Sequence, residues 1–225
     1  MPHKKSIWDN PCLAVMTKDV LCEFRTRYAF GSLIMFALMT LSSVSMSIGS
    51  TLLSAEFAAV LLWVVLFFCA MAGLSRSFVQ EQESGTMFTL RLYAGPQAVL
   101  FGKMLFNMLL LLALTILVIP LFILFLNVDI QLPGLLMMVL LLGDIGIVAV
   151  STLTAAMLAR TQGKGSLFTV LTFPVLLPQF LSAISGTIKA ISGVDISWQE
   201  LMFMVSYDVI IMIAASILFD YLWYD

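Results

Sequence analysis

Long apolar runs without any charged residue constrain the fold of this chain more than any other feature. No Asp, Glu, Lys or Arg occurs from Tyr28 to Ala55 or from Met104 to Val128. An uncharged apolar run of about 18 residues or more is typical of a helix that crosses a bilayer. Only 11% of the residues are charged, against about a quarter in soluble domains. The sequence therefore predicts an integral membrane protein.

Six apolar segments are long enough to be membrane spans. They lie at roughly 29–49, 57–75, 104–126, 133–158, 167–188 and 201–222. Inside a bilayer each backbone amide must be hydrogen-bonded within its own segment, so the spans should be helices. The alternation expected of a barrel strand is absent from these runs. We therefore predict an all-α protein with six transmembrane helices, forming a single domain over 1–225.

The basic residues predict which side of the membrane faces the cytoplasm. Ten of the eleven lie in the N-terminal segment or in the loops after the second and fourth spans. The opposite side carries only Lys189, together with several acidic residues. Because Lys and Arg are enriched in cytoplasmic loops, both termini should face the cytoplasm.

Residues 1–28 are predicted to be a cytosolic tail followed by an in-plane amphipathic helix. Apolar residues recur three or four positions apart on one face: Leu13, Met16, Val20, Phe24 and Tyr28. Charged residues lie off this face, as in a helix on a membrane surface. The alternative is a charged flank of the first span.

The polar loop 76–103 is unusually long for a connection between two spans, most of which need only a few residues. Its sequence predicts a short helix from Ser77 to Glu83, a break at Gly85, and a second short helix from Met87 to Tyr93 that Thr86 would cap. This punctuation favours a compact docking element over an ordinary loop, which is the alternative.

Several motifs in and beyond this loop have the order and spacing of a known family. They are Arg76-Ser77-Phe78, Glu81-Gln82-Glu83-Ser84-Gly85-Thr86, Leu90, Gly102-Lys103, Asn107 and Phe173-Pro174-Val175-Leu176-Leu177-Pro178. On these residues the chain resembles the haem exporter protein B (CcmB-like) family, the cytochrome c maturation permeases of the ABC-2 type (type V exporter-like) class. The resemblance covers nearly the whole chain and is sharpest within 76–107.

The resemblance implies a permease subunit that works with a separate ABC ATPase subunit and other cytochrome c maturation membrane proteins. ATP hydrolysis on the partner would drive haem export, or the release of a haem-loaded chaperone, at the bacterial cytoplasmic (inner) membrane. The complex would be a homodimer or a heteromeric assembly, without nucleic acid. The alternative is a generic ABC-2 permease that exports a lipid, a drug or a polysaccharide.

In transporters of this class the loop after the second span docks in a groove on the ATPase. The resemblance therefore implies an ATPase-coupling role for the residues at the matching positions: Arg76, Glu81, Glu83, Gly85 and Thr86. We expect the charged side chains to pair with the ATPase. Phe78, with Met87 and Phe88, would supply apolar anchors for the same contact.

No catalytic, cofactor or metal site is predicted for this chain. A phosphate-binding loop requires Gly-Lys followed by Ser or Thr, whereas Gly102-Lys103 precedes Met104. The single histidine, His3, lies outside the spans, so neither a haem ligand nor an intramembrane metalloenzyme is expected. ATP would bind the partner subunit, and haem would be the transported species. A passive scaffold would not require the long polar loop.

Polar residues within the spans are candidates for gating. Asp144 and Asp208 interrupt the fourth and sixth apolar runs, and Asn107 lies near the start of the third. A charged side chain at the bilayer centre costs about 2.5–3.5 kcal/mol on insertion scales, so these residues should face the bundle interior. They could line or gate a transport path, or they could form interhelical hydrogen bonds that fix the packing.

Pro174 and Pro178 should kink the fifth span, because each removes a backbone hydrogen bond. Residues 179–200 are rich in Ser and Gly and could complete that span or break into short outer helices. The family resemblance favours the broken form, which would provide a lid on the outer face.

Overall fold

The computed structural model describes residues 10–26, 28–48, 53–74, 78, 81, 85–158 and 164–224, and within these ranges all regular structure is helical. The helices are α1 (Pro11–Thr26), α2 (Tyr28–Ile48), α3 (Ala55–Leu74), α4 (Met87–Tyr93), α5 (Pro96–Leu126), α6 (Pro133–Leu158), α7 (Lys164–Ser192) and α8 (Trp198–Tyr224). The predicted all-α class is confirmed.

Five helices in the described part of the chain are long and apolar enough to cross a membrane: α3, α5, α6, α7 and α8. The first predicted span corresponds to α2, whose described apolar portion, Leu33–Ile48, is shorter than the others. The chain is therefore a multi-pass membrane protein, and the prediction of six spans is confirmed for five of them.

Helix α5 begins eight residues earlier than the predicted third span, which was placed at 104–126. Gly95 occupies its N-cap, and Pro96 fits the first helical turn because its missing N–H would have no partner there. Lys103 therefore lies within a helix rather than at the end of a loop. This shift determines the geometry of the site described below.

Helix α6 lies at the centre of the bundle, where it packs against α3, α5, α7 and α8. Its glycines allow very close contacts. A Cβ atom on Gly143 would lie 2.0 Å from the Trp63 ring, and one on Gly146 would lie 2.9 Å from Asp208 Oδ1. Trp63 of α3 and Asp208 of α8 thus lie directly against the backbone of α6.

Helix α7 continues through Pro174 and Pro178 to Ser192, so the expected break into short outer helices is wrong. The helix ends just before Gly193, whose φ of +73° suits glycine. The weakly apolar C-terminal part of α7 packs against neighbouring helices: Trp63 Nε1 donates to Thr187 Oγ1 at 2.9 Å, and a Cβ atom on Gly186 would meet Val139. Its small and polar residues serve contacts between helices, and a lid is not present in this segment.

Helix α1 packs along α5 through a face that the apolar stripe did not identify. Ala14 and Val15 are buried, and a Cβ atom on Gly102 would lie 2.8 Å from the Cys12 carbonyl oxygen. Phe24, a member of the predicted stripe, is 73% exposed. The helix therefore has one side against the protein and Phe24 on another side open to the surroundings, and its position in the plane of the membrane stays a prediction.

Candidate functional site

Four charged side chains form an ion cluster that joins α1, the polar loop and α5. Lys103 Nζ lies 3.1 Å from Asp19 Oδ2 and 3.3 Å from Glu81 Oε1. Lys18 Nζ contacts the same Glu81 oxygen and lies 3.1 Å from Asp19 Oδ1. Each ammonium group thus contacts both carboxylates, and three separate segments meet at one point. We refer to Lys18, Asp19, Glu81 and Lys103 as the ion cluster.

Two members of the ion cluster, Glu81 and Lys18, have pKa values shifted toward their charged forms despite burial. Lys103 is 1% exposed and Glu81 is 6% exposed. Burial alone would raise the pKa of Glu81, but the charge of Lys103 and hydrogen bonds from Lys18 and Thr86 lower it to about 2. Burial alone would likewise lower the pKa of Lys18, which the charges of Asp19 and Glu81 raise instead. Opposite charges thus outweigh desolvation at both residues.

Glu81 also fixes the turn that precedes α4. Thr86 Oγ1 donates to Glu81 Oε2 at 2.6 Å, and the Thr86 backbone N–H donates to the Glu81 carbonyl at 3.1 Å. Gly85 between them has a φ of +68°, which confirms the predicted break at this glycine. Helix α4 is confirmed, and Thr86 occupies its N-cap position, but the Thr86 hydroxyl does not make the predicted capping bond.

Phe78 of the polar loop packs against α8. Its side chain is 1% exposed, and its ring centroid lies 5.6 Å from that of Phe219. Lys103 Nζ lies 5.1 Å from the centroid of the Phe78 ring, at a distance suited to a cation–π contact. The aromatic ring therefore forms part of the wall around the buried ammonium group.

Direct contact of Glu81 and Phe78 with the ATPase, which the family resemblance implied, does not agree with the burial of both side chains. Both side chains face their own chain, because Lys103 lies inside α5 and attracts the loop onto the helix. Arg76 and Glu83 lie outside the described residues. On α4, Leu92 is 76% exposed and Tyr93 is also exposed, so this short helix presents an apolar surface.

The sequence analysis missed Lys18, Asp19 and Lys103 as partners of the loop. The sequence signal that could have identified them was the presence of two lysines and two acidic residues next to or within apolar helical segments. Because Asp19 and Lys103 are 84 positions apart, their contact could not be inferred from local spacing.

Hydrogen bonds between side chains also join the membrane helices. Asn107 Nδ2 donates to Thr152 Oγ1 at 2.8 Å, and Thr115 Oγ1 donates to Asp144 Oδ2 at 2.9 Å. Both bonds connect α5 with α6. They fit the packing alternative for Asn107 and Asp144, and the gating alternative stays a prediction.

Gln179, which the sequence analysis did not single out, connects three helices. Its Nε2 donates to Asp208 Oδ1 at 3.0 Å and to the Leu142 carbonyl at 3.2 Å. The position follows Pro178 in the kink motif, and an amide within an apolar run was the only sequence signal. Within the described ranges, no group of three or more His, Cys, Asp or Glu side chains could hold a metal ion.

Replacing Lys103 by Met should destabilise the protein by about 3 kcal/mol at neutral pH, because Glu81 would lose the buried cation that stabilises its charge against desolvation. The same change at Lys189, whose ion pair with Glu200 is partly exposed, should cost less than about 1 kcal/mol. Thermal unfolding of both variants in detergent measures the difference.

The cost of Lys103→Met should also depend on pH. A lowered pKa contributes stability at neutral pH that is lost as pH falls from about 5 to about 2, where Glu81 becomes protonated. The gap in melting temperature between Lys103→Met and wild type should therefore narrow over this interval. A gap that is small at neutral pH, or that does not change with pH, would contradict the ion cluster.

Comparison with known proteins agrees with the resemblance seen in the polar loop. A family model described as CcmB protein matches residues 11–219, which includes every helix up to most of α8. A comparison with curated proteins found no match. The chain therefore belongs to the CcmB protein family and is the membrane component, a permease subunit rather than a catalytic one, of the haem export ABC transporter of cytochrome c maturation.

Proposed function

We propose that the polar loop receives the movement of the separate ATPase subunit and that the ion cluster passes this movement to the membrane helices. The observation that carries the proposal is the buried Lys103 ammonium group, which Asp19 of α1 and Glu81 of the loop share. A push on the loop cannot displace Glu81 alone without leaving charges unpaired in a buried site, which is costly.

The loop side of the bundle is stiffened by a second set of contacts. Gln97, in the first turn of α5, donates through Nε2 to Asp220 Oδ2 at 2.9 Å. Ser216 of α8 donates to Gln97 Oε1 at 2.8 Å. Together with Phe78 against Phe219, these bonds attach α8 to the same group of elements. Movement of the loop would thus reach α1, α5 and α8 together.

Contact with the ATPase itself would involve exposed residues of the polar loop. The exposed Leu92 and Tyr93 of α4 offer an apolar surface of the kind found at the centre of interfaces. Arg76 and Glu83 remain proposed charged contacts. Gly85 and Thr86 would act by shaping the turn that presents α4. Glu81 and Phe78 would act through their contacts with other helices of the permease rather than with the ATPase.

We propose that α2 also crosses the membrane, which brings the number of spans to six. In this ABC-2 type arrangement both termini would lie in the cytoplasm, and the membrane would be a bacterial inner membrane. With 21 residues, α2 would reach about 31 Å, close to the thickness of the hydrocarbon core. An even number of spans returns the chain to its starting side. In support, both α1 and the Asp220 end of α8 contact residues at the loop side of the bundle.

The remaining features of the proposal follow from family membership and chemistry. ATP would bind the partner subunit, because the sequence contains no phosphate-binding loop. Haem would be exported, or a haem-loaded chaperone released, without iron ligands or another cofactor from this chain. The subunit would act as a homodimer or beside other membrane proteins of the pathway. Family membership favours this function over the generic export of a lipid, drug or polysaccharide.

Glu81→Gln tests whether the loop carboxylate acts by pairing with lysines of the permease itself. The amide cannot balance Lys18 and Lys103, so we expect covalent haem attachment to c-type cytochromes to fall several-fold in a deletion strain carrying the variant. The ATPase subunit should still co-purify with it, because Glu81 faces the permease. Haem staining and pull-down from the same membranes measure both effects.

The matched control is Glu56→Gln, an exposed Glu at the start of α3, which should leave both readouts unchanged. Loss of the ATPase from Glu81→Gln, with normal amounts of permease, would show instead that Glu81 is a direct docking contact.

Orientation can be tested through Cys22, which lies exposed on α1. In a variant with Cys12 and Cys69 replaced by Ala, a thiol reagent that cannot cross membranes should label Cys22 in inverted vesicles and not in spheroplasts. Labelling in spheroplasts would place α1, and with it the polar loop, on the outer side.

A further inference from the structure

Asp208 of α8 and Gln179 of α7 form a buried polar pair that the coupling mechanism does not use. Asp208 is 4% exposed and Gln179 is fully buried. Gln179 Nε2 lies 3.0 Å from Asp208 Oδ1 and 3.2 Å from the Leu142 carbonyl oxygen of α6. The pair is therefore located where α6, α7 and α8 meet, in the interior of the membrane bundle.

The pair lacks a hydrogen-bond donor. A primary amide has two N–H donors, and both of those on Gln179 have acceptors: Asp208 Oδ1 and the Leu142 carbonyl. The other oxygens, Gln179 Oε1 and Asp208 Oδ2, are buried without a hydrogen-bond partner. An ionised carboxylate can only accept hydrogen bonds, so an ionised Asp208 could not donate to Gln179 Oε1, and its own Oδ2 would remain without a donor. One proton on Asp208 Oδ2 would supply the missing donor, with Gln179 Oε1 as its acceptor.

The surroundings of Asp208 offer no compensating positive charge. Helices α6 and α8 contain no Lys or Arg. Helix α7 has two lysines: Lys164, its first residue, lies 15 positions before Gln179, and Lys189 pairs with Glu200. The titratable side chains on these helices nearest in sequence to the junction are Asp144, bonded to Thr115, and Tyr207, which donates to the Val175 carbonyl. None of these groups can neutralise a carboxylate at this position.

The backbone of α6 also covers the pair. A Cβ atom on Gly146 would lie 2.9 Å from Asp208 Oδ1 and from Gln179 Cγ. This contact leaves little space for water beside the bonded oxygen. An ionised carboxylate that is neither hydrated nor paired is strongly destabilising, and such a buried group becomes neutral by binding a proton.

We propose that Asp208 and Gln179 form a proton-binding site, in which Asp208 holds a proton on Oδ2 and shares it with Gln179 Oε1. The carboxylic acid and the amide then exchange two hydrogen bonds, and the neutral pair joins α8 to α7 and, through Leu142, to α6. Bringing water to this junction by separating α7 from α8 would release the proton. The proposal is independent of the coupling role of the polar loop.

Infrared spectroscopy of the purified full-length protein at neutral pH tests the site. The C=O stretch of a protonated carboxyl group differs from that of a carboxylate and shifts in D2O. Asp208→Asn should remove one protonated-carboxyl band. Asp129→Asn, the same change at an exposed acid, should remove only carboxylate intensity. Loss of carboxylate intensity in Asp208→Asn would overturn the proposal and indicate an ionised Asp208 held by water or a cation.

Thermal unfolding provides a second readout. Asn can donate to Gln179 Oε1 and accept from Gln179 Nε2, so Asp208→Asn should fold and melt near the wild-type temperature at neutral pH. Because the folded state would hold a proton that the unfolded chain releases, the melting temperature of wild type should fall at alkaline pH more than that of the variant. Failure of Asp208→Asn to fold, or an identical pH profile, would contradict the proton-binding site.

Discussion

The ammonium group of Lys103 determines how the polar loop is arranged. An unpaired ammonium group buried beside an aromatic ring would be strongly destabilising, so the fold must bring carboxylates to it. One carboxylate comes from α1 and the other from the loop, at Asp19 and Glu81. Glu81 therefore holds the described part of the loop around it against α5, and Asp19 holds α1 against the same helix.

Within the membrane, a different set of interactions joins the helices. Water is absent from the hydrocarbon core, so helix association relies on close packing and on hydrogen bonds between side chains. Glycines on α6 provide the close packing, while Thr115 with Asp144 and Gln179 with Asp208 provide the bonds. A bundle joined in this way at its centre, and by the ion cluster at one end, can transmit displacement from the loop along whole helices.

Hydropathy predicted much of the fold, because it measures directly which segments avoid water. The fourth span, 133–158, coincides with α6, and α4 was predicted from the Gly85 turn. The start of α5 was missed because its first turns include Gln97 and Lys103, whose polar groups are satisfied by distant residues. The C-terminal part of α7 was misread for a similar reason: its small and polar residues include Gly186 and Thr187, which contact other helices.

The candidate site was predicted only in part. The loop motif identified Glu81 and Phe78, but their side chains point inward, since side-chain direction depends on partners many positions away in the sequence. Asp144 and Asp208 could be identified as acidic residues in apolar runs, whereas Gln179 is uncharged and could not be found in this way. Local patterns thus located the polar residues, and only the tertiary structure revealed which of them interact.

Whether α1 and the polar loop move as one unit can be measured by pulsed electron paramagnetic resonance on the complex with its ATPase. Spin labels at Cys22 on α1 and at Thr89→Cys, an exposed position of α4 outside the proposed ATPase contact, would report the distance between these elements with and without a non-hydrolysable nucleotide. If the ion cluster holds them together, this distance stays constant while the distance from α4 to a label at Val194→Cys, on the opposite end, changes. A nucleotide-dependent change between α1 and α4 would contradict transmission through the ion cluster.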